Sequence, residues 1–187
     1  MTAYVGRVLR HRPARPTDAP TKDDTLTTDN SVRRQWRSPA PDRVPGFNYA
    51  SADYVYFVTV CANAGSPFVD ARLAREIVQS LDWFRTERGI ALYAYCLTPD
   101  HLHLLLQLPG DRRLGTEIGS FKTWTTRQSW KLGHKGALWQ PRFHDHILRT
   151  EEDGLAIATY ILDNPVRRGL AREAGEYAWS GMPDPLR

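Results

Sequence analysis

The sequence predicts an α+β fold in which a ferredoxin-like antiparallel sheet carries helices on one face. Apolar runs of six to eight residues alternate along the chain with segments of helical period, in the order β-α-β-β-α-β-α. Two of these runs are separated only by Thr98-Pro99-Asp100, which predicts a hairpin turn. At 187 residues and 41% hydrophobic, the chain is long enough for one domain with its own core. This arrangement predicts that the second face of the sheet is free for a ligand.

The first strand and helix follow from their composition. Residues 54–61 are almost all aromatic or β-branched, which favours a strand. Asp70 is then expected to cap a helix that ends at Gly89, a residue that accepts the left-handed conformation found after helices. The apolar positions of this helix share one face: Leu73, Ile77, Leu81 and Phe84. Residues 90–97 are predicted to form the second strand.

The strand after the hairpin turn, residues 101–108, carries the first candidate site. Its side chains alternate, so four leucines share one face, which we expect to be buried. His101 and His103 share the other face, which we expect to be open. Two neutral imidazoles at this spacing can bind one metal ion. An isolated His-x-His is more often a pair of surface histidines, so this interpretation depends on the rest of the chain.

A second helix is predicted from about residue 113 to residue 131, because four inward positions recur at helical spacing: Leu114, Ile118, Phe121 and Thr125. A short strand over residues 143–148 follows. It holds a second pair, His144 and His146, which ranks below the first as a metal site because this strand is less apolar. Either histidine is also a candidate to contact a phosphate.

The last predicted helix starts at Thr150, with Asp153 completing a capping-box-like start, and ends at Pro165. Its apolar stripe is expected to contain Leu155, Ala158, Ile161 and Leu162. Tyr160 and Asn164 are four residues apart, so they lie on one face of this helix.

The positive charge is unevenly distributed. Residues 1–45 carry 9 Lys/Arg against 5 Asp/Glu and have no hydrophobic period, which predicts a disordered basic arm before one domain over residues 46–180 and a tail over 181–187. Residues 112–149 carry 8 Lys/Arg against 2 Asp/Glu, which favours an anionic partner, although a solvated helix face gives the same pattern.

Cys61 and Cys96 are expected to be reduced thiols of a cytoplasmic protein. No apolar run predicts a membrane span or a signal peptide.

Six ordered blocks resemble the single-tyrosine, His-hydrophobe-His (HUH) transposases, and within them the REP-associated tyrosine transposases. The blocks lie at residues 56–60, 99–104, 119–122, 138–140, 146–149 and 160–167, and the last, which runs from Tyr160 through Asn-Pro-Val-Arg, is the most discriminating. Two positions depart from the family pattern. Thr98 stands where a Met is usual, and His144 stands where an aromatic residue is usual.

The resemblance implies an HUH endonuclease-type fold and an enzyme that cuts single-stranded DNA beside a hairpin and rejoins it. It implies Tyr160 as the nucleophile, His101 and His103 as metal ligands, and Asn164 as the polar third ligand. The metal is expected to be Mg²⁺ or Mn²⁺, acting as Lewis acid and template. Because a phenol has a pKa near 10, far below that of a sugar hydroxyl, a phosphotyrosine link keeps the bond energy and lets a 3′-OH reverse the cut.

The expected partner is single-stranded or hairpin DNA in the cytoplasm, at the nucleoid, bound by a monomer or a homodimer. Basic side chains hold phosphates without reading sequence. The candidate DNA contacts are Arg112, Lys122, Arg127, Lys131, Arg142, His146, Arg149 and Arg167.

Two other functions are consistent with the same residues. One is a protein that binds hairpin DNA without cutting it, motivated by the basic window over residues 112–149. The other is a small metal-dependent hydrolase or metal-binding protein that places His101, His103, His144 and His146 around one ion.

Overall fold

The described residues form a five-stranded antiparallel sheet, with the strands in the order His144–Ile147, Val55–Cys61, His101–Gln107, Ala91–Leu97 and Ser180–Gly181. The computed structural model describes residues 54–110, 112–148 and 154–186. The strands are β1 (Val55–Cys61), β2 (Ala91–Leu97), β3 (His101–Gln107), β4 (His144–Ile147) and β5 (Ser180–Gly181), and the helices are α1 (Ala71–Arg88), α2 (Leu114–Lys131) and α3 (Gly154–Arg167), with a 3₁₀ turn at Pro67–Val69. The predicted fold class is therefore confirmed.

Helices α1 and α2 pack on the leucine face of β3, as predicted. Every predicted inward position of both helices is buried, and the apolar ones join the same cluster as Leu102, Leu104 and Leu106. The Asp70 carboxylate caps α1 by accepting a hydrogen bond from the Arg72 backbone N–H at 2.9 Å. Gly89 ends α1 with a φ of 62°, a conformation that glycine adopts without steric cost. The main core therefore lies between the sheet and these two helices.

Helix α3 lies on the opposite face of the sheet, over β2 and β3. The prediction that this face is open was wrong, since only 5% of His101 and 6% of His103 is exposed. The physical reason is that this face also carries apolar side chains, among them Cys96 and Leu105, which are fully buried. Ile161 of α3 is fully buried as well, so the last helix closes a second, smaller apolar layer.

Two details of α3 differ from the sequence prediction. Leu155 is 59% exposed, and Ile157 takes the inward position instead. Pro165 does not end the helix, which continues to Arg167. The proline removes one N–H from the ladder, but the next turn is still bonded, because the Arg168 N–H donates to the Asn164 carbonyl at 3.1 Å. The predicted cap at Thr150 and Asp153 lies outside the described residues, as does the predicted basic arm.

Residues after α3 return to the sheet and attach to its β2 edge. The Leu97 N–H donates to the Trp179 carbonyl at 2.8 Å, and β5 pairs with β2. The Asp184 carboxylate accepts hydrogen bonds from the Arg85 guanidinium at 2.7 Å and the Leu92 N–H at 2.8 Å. All described residues belong to one structural unit, Arg37–Arg187, while the predicted domain limits at 46 and 180 stay predictions.

No disulfide joins Cys61 and Cys96 in the described part of the chain, as expected from the sequence. None of the described helices is long and apolar enough to cross a membrane.

We expect Leu104→Ala to lower the free energy of unfolding by about 2–5 kcal/mol, because 1% of Leu104 is exposed and the substitution leaves a cavity between the sheet and the helices. Leu155→Ala is the matched control, since it removes the same atoms from an exposed position and should change stability by less than about 0.5 kcal/mol. Urea unfolding curves measure both. Equal losses in the two variants would contradict the described core.

Candidate functional site

The two histidines of β3 form the centre of the candidate site. Their Nε2 atoms are 3.0 Å apart, and both side chains are almost fully buried beneath α3. Two unprotonated nitrogens facing each other at this distance repel, so the arrangement requires a proton or a cation near both of them. The two imidazole nitrogens therefore converge on one point inside the molecule.

Each imidazole is oriented by a hydrogen bond at its other nitrogen. The His103 Nδ1 is 2.9 Å from the Thr59 hydroxyl on β1, and β1 and β3 place these residues directly opposite each other. The His101 Nδ1 is 2.8 Å from the Asp100 carboxylate. An Nδ1–H that donates to an oxygen leaves the Nε2 lone pair free to bind a metal. The two partners thus point both Nε2 atoms at the same place.

Asp100 is held by further contacts in the hairpin turn. The Thr98 hydroxyl, on a fully buried side chain, lies 3.0 Å from the Asp100 carboxylate. Arg168 pairs with the same carboxylate at 3.0 Å. The hydrogen bond from His101, with the nearby Arg168 charge, keeps the pKa of the Asp100 carboxyl well below its usual range. Asp100 is therefore a carboxylate at neutral pH, and Thr98, which departs from the family pattern, has a bonding role in this turn.

Helix α3 brings Tyr160 to the histidines. The Tyr160 ring centroid is 6.1 Å from that of His103 and 6.2 Å from that of Phe57. The Arg167 guanidinium lies over the Tyr160 ring, with its central carbon 5.0 Å from the ring centroid. A cation in this position is attracted to the ring face and favours one orientation of the phenol. The predicted nucleophile and the predicted metal ligands thus lie side by side in one chain.

Asn164 lies four residues from each of the two residues that contact the histidines, Tyr160 and Arg168. Tyr160, Asn164 and Arg168 are spaced by four residues, so they share a face of the helix. Tyr160 is next to His103, and Arg168 is next to His101. Only 7% of Asn164 is exposed, and its side-chain oxygen has no hydrogen-bond partner among the described residues. A buried amide oxygen without a partner is costly, which is typical of a ligand position.

The donor set fits a small divalent cation. Two neighbouring ligand atoms at about 2.1 Å from an octahedral ion are about 3.0 Å apart, which matches the separation of the two Nε2 atoms. No group of three His, Cys, Asp or Glu among the described residues is placed to hold a metal. A third protein ligand from this part of the chain would therefore be of another residue type, such as the orphaned oxygen of Asn164.

His144 and His146 do not join the first pair. In the register of β1 with β4 they lie opposite Thr59 and Phe57. They therefore share the face of the sheet with His101 and His103, but β1 lies between β4 and β3 and separates them by about 10 Å. Because no group of three or more His, Cys, Asp or Glu side chains among the described residues is placed to hold a metal, the prediction that these four imidazoles surround one ion is wrong.

Three of the side chains predicted to contact DNA are hydrogen-bonded to other groups of the protein. The Arg112 guanidinium donates to the buried carboxylate of Glu117 at 2.8 Å. The Lys122 ammonium donates to the carbonyls of Gln140 and Pro141 at 2.6 and 2.9 Å, and burial lowers its pKa. The Lys131 ammonium donates to Gln128 at 2.7 Å. Lys122 in particular fixes the loop before β4, so its first role is structural.

The remaining candidates divide by location. Arg127 and Arg142 are exposed. His146 lies opposite Phe57 in the register of β1 with β4, and the Arg167 guanidinium lies over the Tyr160 ring. Arg149 lies outside the described residues. The DNA contacts of these residues stay predictions.

The sequence analysis missed three positions that the structure brings to the histidines: Thr59, Asp100 and Arg168. Asp100 adjoins His101 in the sequence, and its role could have been inferred from the frequent pairing of ligand histidines with carboxylates. The position of Thr59 beside His103 depends on the register of β1 against β3. The position of Arg168 beside His101 depends on which face of the sheet α3 covers. No local sequence pattern predicts either position.

We expect Asn164→Leu to leave the melting temperature unchanged or to raise it, because leucine keeps the branched shape and removes the unpaired buried oxygen. Thermal unfolding in the presence of a chelator measures this. Asn63→Leu, at an exposed position, controls for the exchange itself. A fall as large as that of Leu104→Ala would mean that Asn164 is a structural residue.

Similarity to known families and proteins covers most of the described domain. Residues 50–164 match the model of the family described as "Transposase IS200 like". A candidate REP-associated tyrosine transposase of Haemophilus influenzae is 34% identical over 100 residues, which cover 48% of this chain and 57% of that protein. A REP-associated tyrosine transposase of Escherichia coli K12 is 29% identical over 97 residues, which cover 51% of this chain and 56% of that protein. The chain thus spans about half the length of the curated relatives it matches.

A solved structure described as a REP-associated tyrosine transposase bound to a REP hairpin aligns with this chain at a TM-score of 0.58 and 23% identity, covering 74% of this chain and 82% of that one. At this identity the likeness shows the fold. The resemblance drawn from the six sequence blocks is confirmed by these comparisons. Because the family model matches more than half of its residues, the chain belongs to the IS200-like transposase family.

Proposed function

We propose that this transposase is a divalent-metal-dependent endonuclease and strand transferase that acts on single-stranded DNA at hairpin-forming repeats through a 5′-phosphotyrosine intermediate. The observation that carries the proposal is the position of Tyr160, whose ring lies 6.1 Å from that of His103 beside the converging imidazoles. Membership of a transposase family supports a DNA substrate. The REP hairpin bound by the structural neighbour supports hairpin DNA as the partner.

The metal would be held by His101, His103 and the side-chain oxygen of Asn164. Mixed nitrogen and oxygen ligation suits Mg²⁺ or Mn²⁺. When bound, such an ion supplies Lewis-acid polarisation of a phosphodiester. The Asp100 carboxylate, which only accepts, favours the tautomer of His101 that presents Nε2, and the Thr59 hydroxyl holds the orientation of the His103 ring.

Tyr160 carries out the covalent step. Its phenol oxygen attacks the phosphorus, the bond from phosphorus to the 3′ oxygen breaks, and the proton lost by the phenol is balanced by the one gained by the 3′ oxygen. The products are a 5′-phosphotyrosine and a free 3′-OH. A 3′-OH attacking the phosphotyrosine reverses the step, so the same site joins strands without an external energy source.

The choice of Tyr160 over other tyrosines has support beyond its position. Burial raises the pKa of Tyr177 to about 12, and burial also raises that of Tyr95, so a phenolate is harder to form at either residue. The Arg167 guanidinium lies over the Tyr160 ring and favours one orientation of its phenol. All the groups come from one chain, which supports catalysis by a monomer.

We expect a labelled hairpin oligonucleotide with a single-stranded flank to form a covalent adduct with the wild-type protein in Mn²⁺. Tyr160→Phe should abolish the adduct, because it removes the attacking oxygen and keeps the ring. Tyr177→Phe is the matched control and should retain it. A denaturing gel measures the adduct, and a strand with a 3′-OH should convert it to a joined product. Tight binding of the hairpin without any adduct would instead establish a non-cleaving hairpin-binding protein.

We expect Thr59→Val to weaken Mn²⁺ binding by about 10–100-fold, because the His103 imidazole loses the hydroxyl that orients it. Calorimetric titration without DNA measures this, and a chelator should abolish adduct formation. Thr123→Val makes the same exchange on the exposed side of α2 and should leave the affinity unchanged. Equal affinities in the wild type and Thr59→Val would contradict the proposed role of His103.

A further inference from the structure

Arg168 joins the three parts of the candidate site, although it is neither a proposed ligand nor the proposed nucleophile. It directly follows α3, and its guanidinium reaches the hairpin turn between β2 and β3. One guanidinium nitrogen lies 3.0 Å from one Asp100 carboxylate oxygen, and another donates to the second oxygen at 3.3 Å. The first nitrogen is also 3.2 Å from the His101 Nδ1.

The direction of the hydrogen bonds decides how Arg168 acts on the histidine. The His101 Nδ1 and the Arg168 guanidinium both approach the same Asp100 oxygen, at 2.8 and 3.0 Å. A guanidinium only donates and a carboxylate only accepts, so in both of these hydrogen bonds the Asp100 oxygen is the acceptor. Arg168 therefore fixes the carboxylate, and the carboxylate fixes the ring and tautomer of His101.

The backbone of Arg168 is hydrogen-bonded to α3, so the position of Arg168 is linked to that of the helix. Its N–H donates to the Asn164 carbonyl at 3.1 Å, which continues the helical bonding by one residue. Tyr160 is eight residues earlier, about 12 Å along the helix axis. Helix α3 is thus attached over the histidine pair at two points, with Tyr160 against His103 at one and Arg168 against Asp100 at the other.

We propose that Arg168 is a positioning residue whose ion pair with Asp100 couples the orientation of the ligand His101 to the placement of the helix that carries Tyr160. This inference rests on the proposed function and adds a residue to it. The ion pair is partly exposed, with 28% of the Arg168 side chain and 39% of the Asp100 side chain accessible, so it contributes little to global stability. Its effect on geometry is larger, because displacement of a reacting group by about 1 Å can cost on the order of 100-fold in rate.

The test compares Arg168→Met, Arg168→Lys and the control Arg172→Met, which removes the same charge from an exposed side chain four residues later. Three quantities are measured: Mn²⁺ affinity by calorimetry without DNA, the single-turnover rate of adduct formation at saturating Mn²⁺, and the melting temperature. Arg168→Met should weaken Mn²⁺ binding by about tenfold and slow adduct formation by on the order of 100-fold, with little change in melting temperature. Arg168→Lys should restore part of both, because an ammonium can pair with one carboxylate oxygen.

A double-mutant cycle tests the route through Asp100. If Arg168 orients His101 through this carboxylate, the Mn²⁺ affinity of Asp100→Asn combined with Arg168→Met equals that of Asp100→Asn alone. Additive losses would overturn this route. Wild-type Mn²⁺ affinity and rate in Arg168→Met, or equal effects of Arg172→Met, would overturn the proposal.

The two proposals fail in different ways. A wild-type protein that forms no adduct overturns the proposed nuclease. The Mn²⁺ titration of the Arg168 variants still decides whether this residue orients the ligand, because that measurement needs neither DNA nor turnover.

Discussion

The arrangement of the site depends on one constraint: two imidazoles must face each other at 3.0 Å in a layer closed to water. Strand β3 satisfies the first part, because alternate side chains of a strand point to the same face. Helix α3 satisfies the second, because it covers the face that β3 and β2 would otherwise expose. Burial also keeps water away from the pair, so the protein alone sets where the two nitrogens point.

The buried polar groups of the site lower the stability of the fold. The site contains two buried histidines and a buried amide oxygen without a partner among the described residues, groups that a purely structural core would replace with apolar side chains. The opposite face of the sheet offsets this cost. There the leucines of β3 meet the apolar stripes of α1 and α2 in one continuous core. The protein thus separates its two faces, one for stability and one for chemistry.

The sequence predicted the features that depend on neighbouring residues. It did not predict those that depend on contacts between residues far apart in the chain. The histidine pair and the spacing of Tyr160 and Asn164 are local, since they follow from the period of one strand and of one helix. The face on which α3 packs is not local, because it depends on Cys96 and Leu105 needing cover across the sheet. Strand register and side-chain ion pairs also depend on residues that are far apart in the sequence, so no local pattern predicts them. For this reason the sequence did not show that the Lys122 ammonium donates to the carbonyls of the loop before β4.

The segment at residues 180–184 has a consequence for how copies of this protein behave in solution. A bare strand at the side of a sheet presents a row of unpaired amide and carbonyl groups, which recruits strands from other molecules. By pairing Ser180–Gly181 with β2 and bonding Asp184 to Leu92, the chain occupies that side itself. The other side is formed by β4, which is only four residues long. Both borders of the sheet are therefore poor templates for the addition of strands from other molecules.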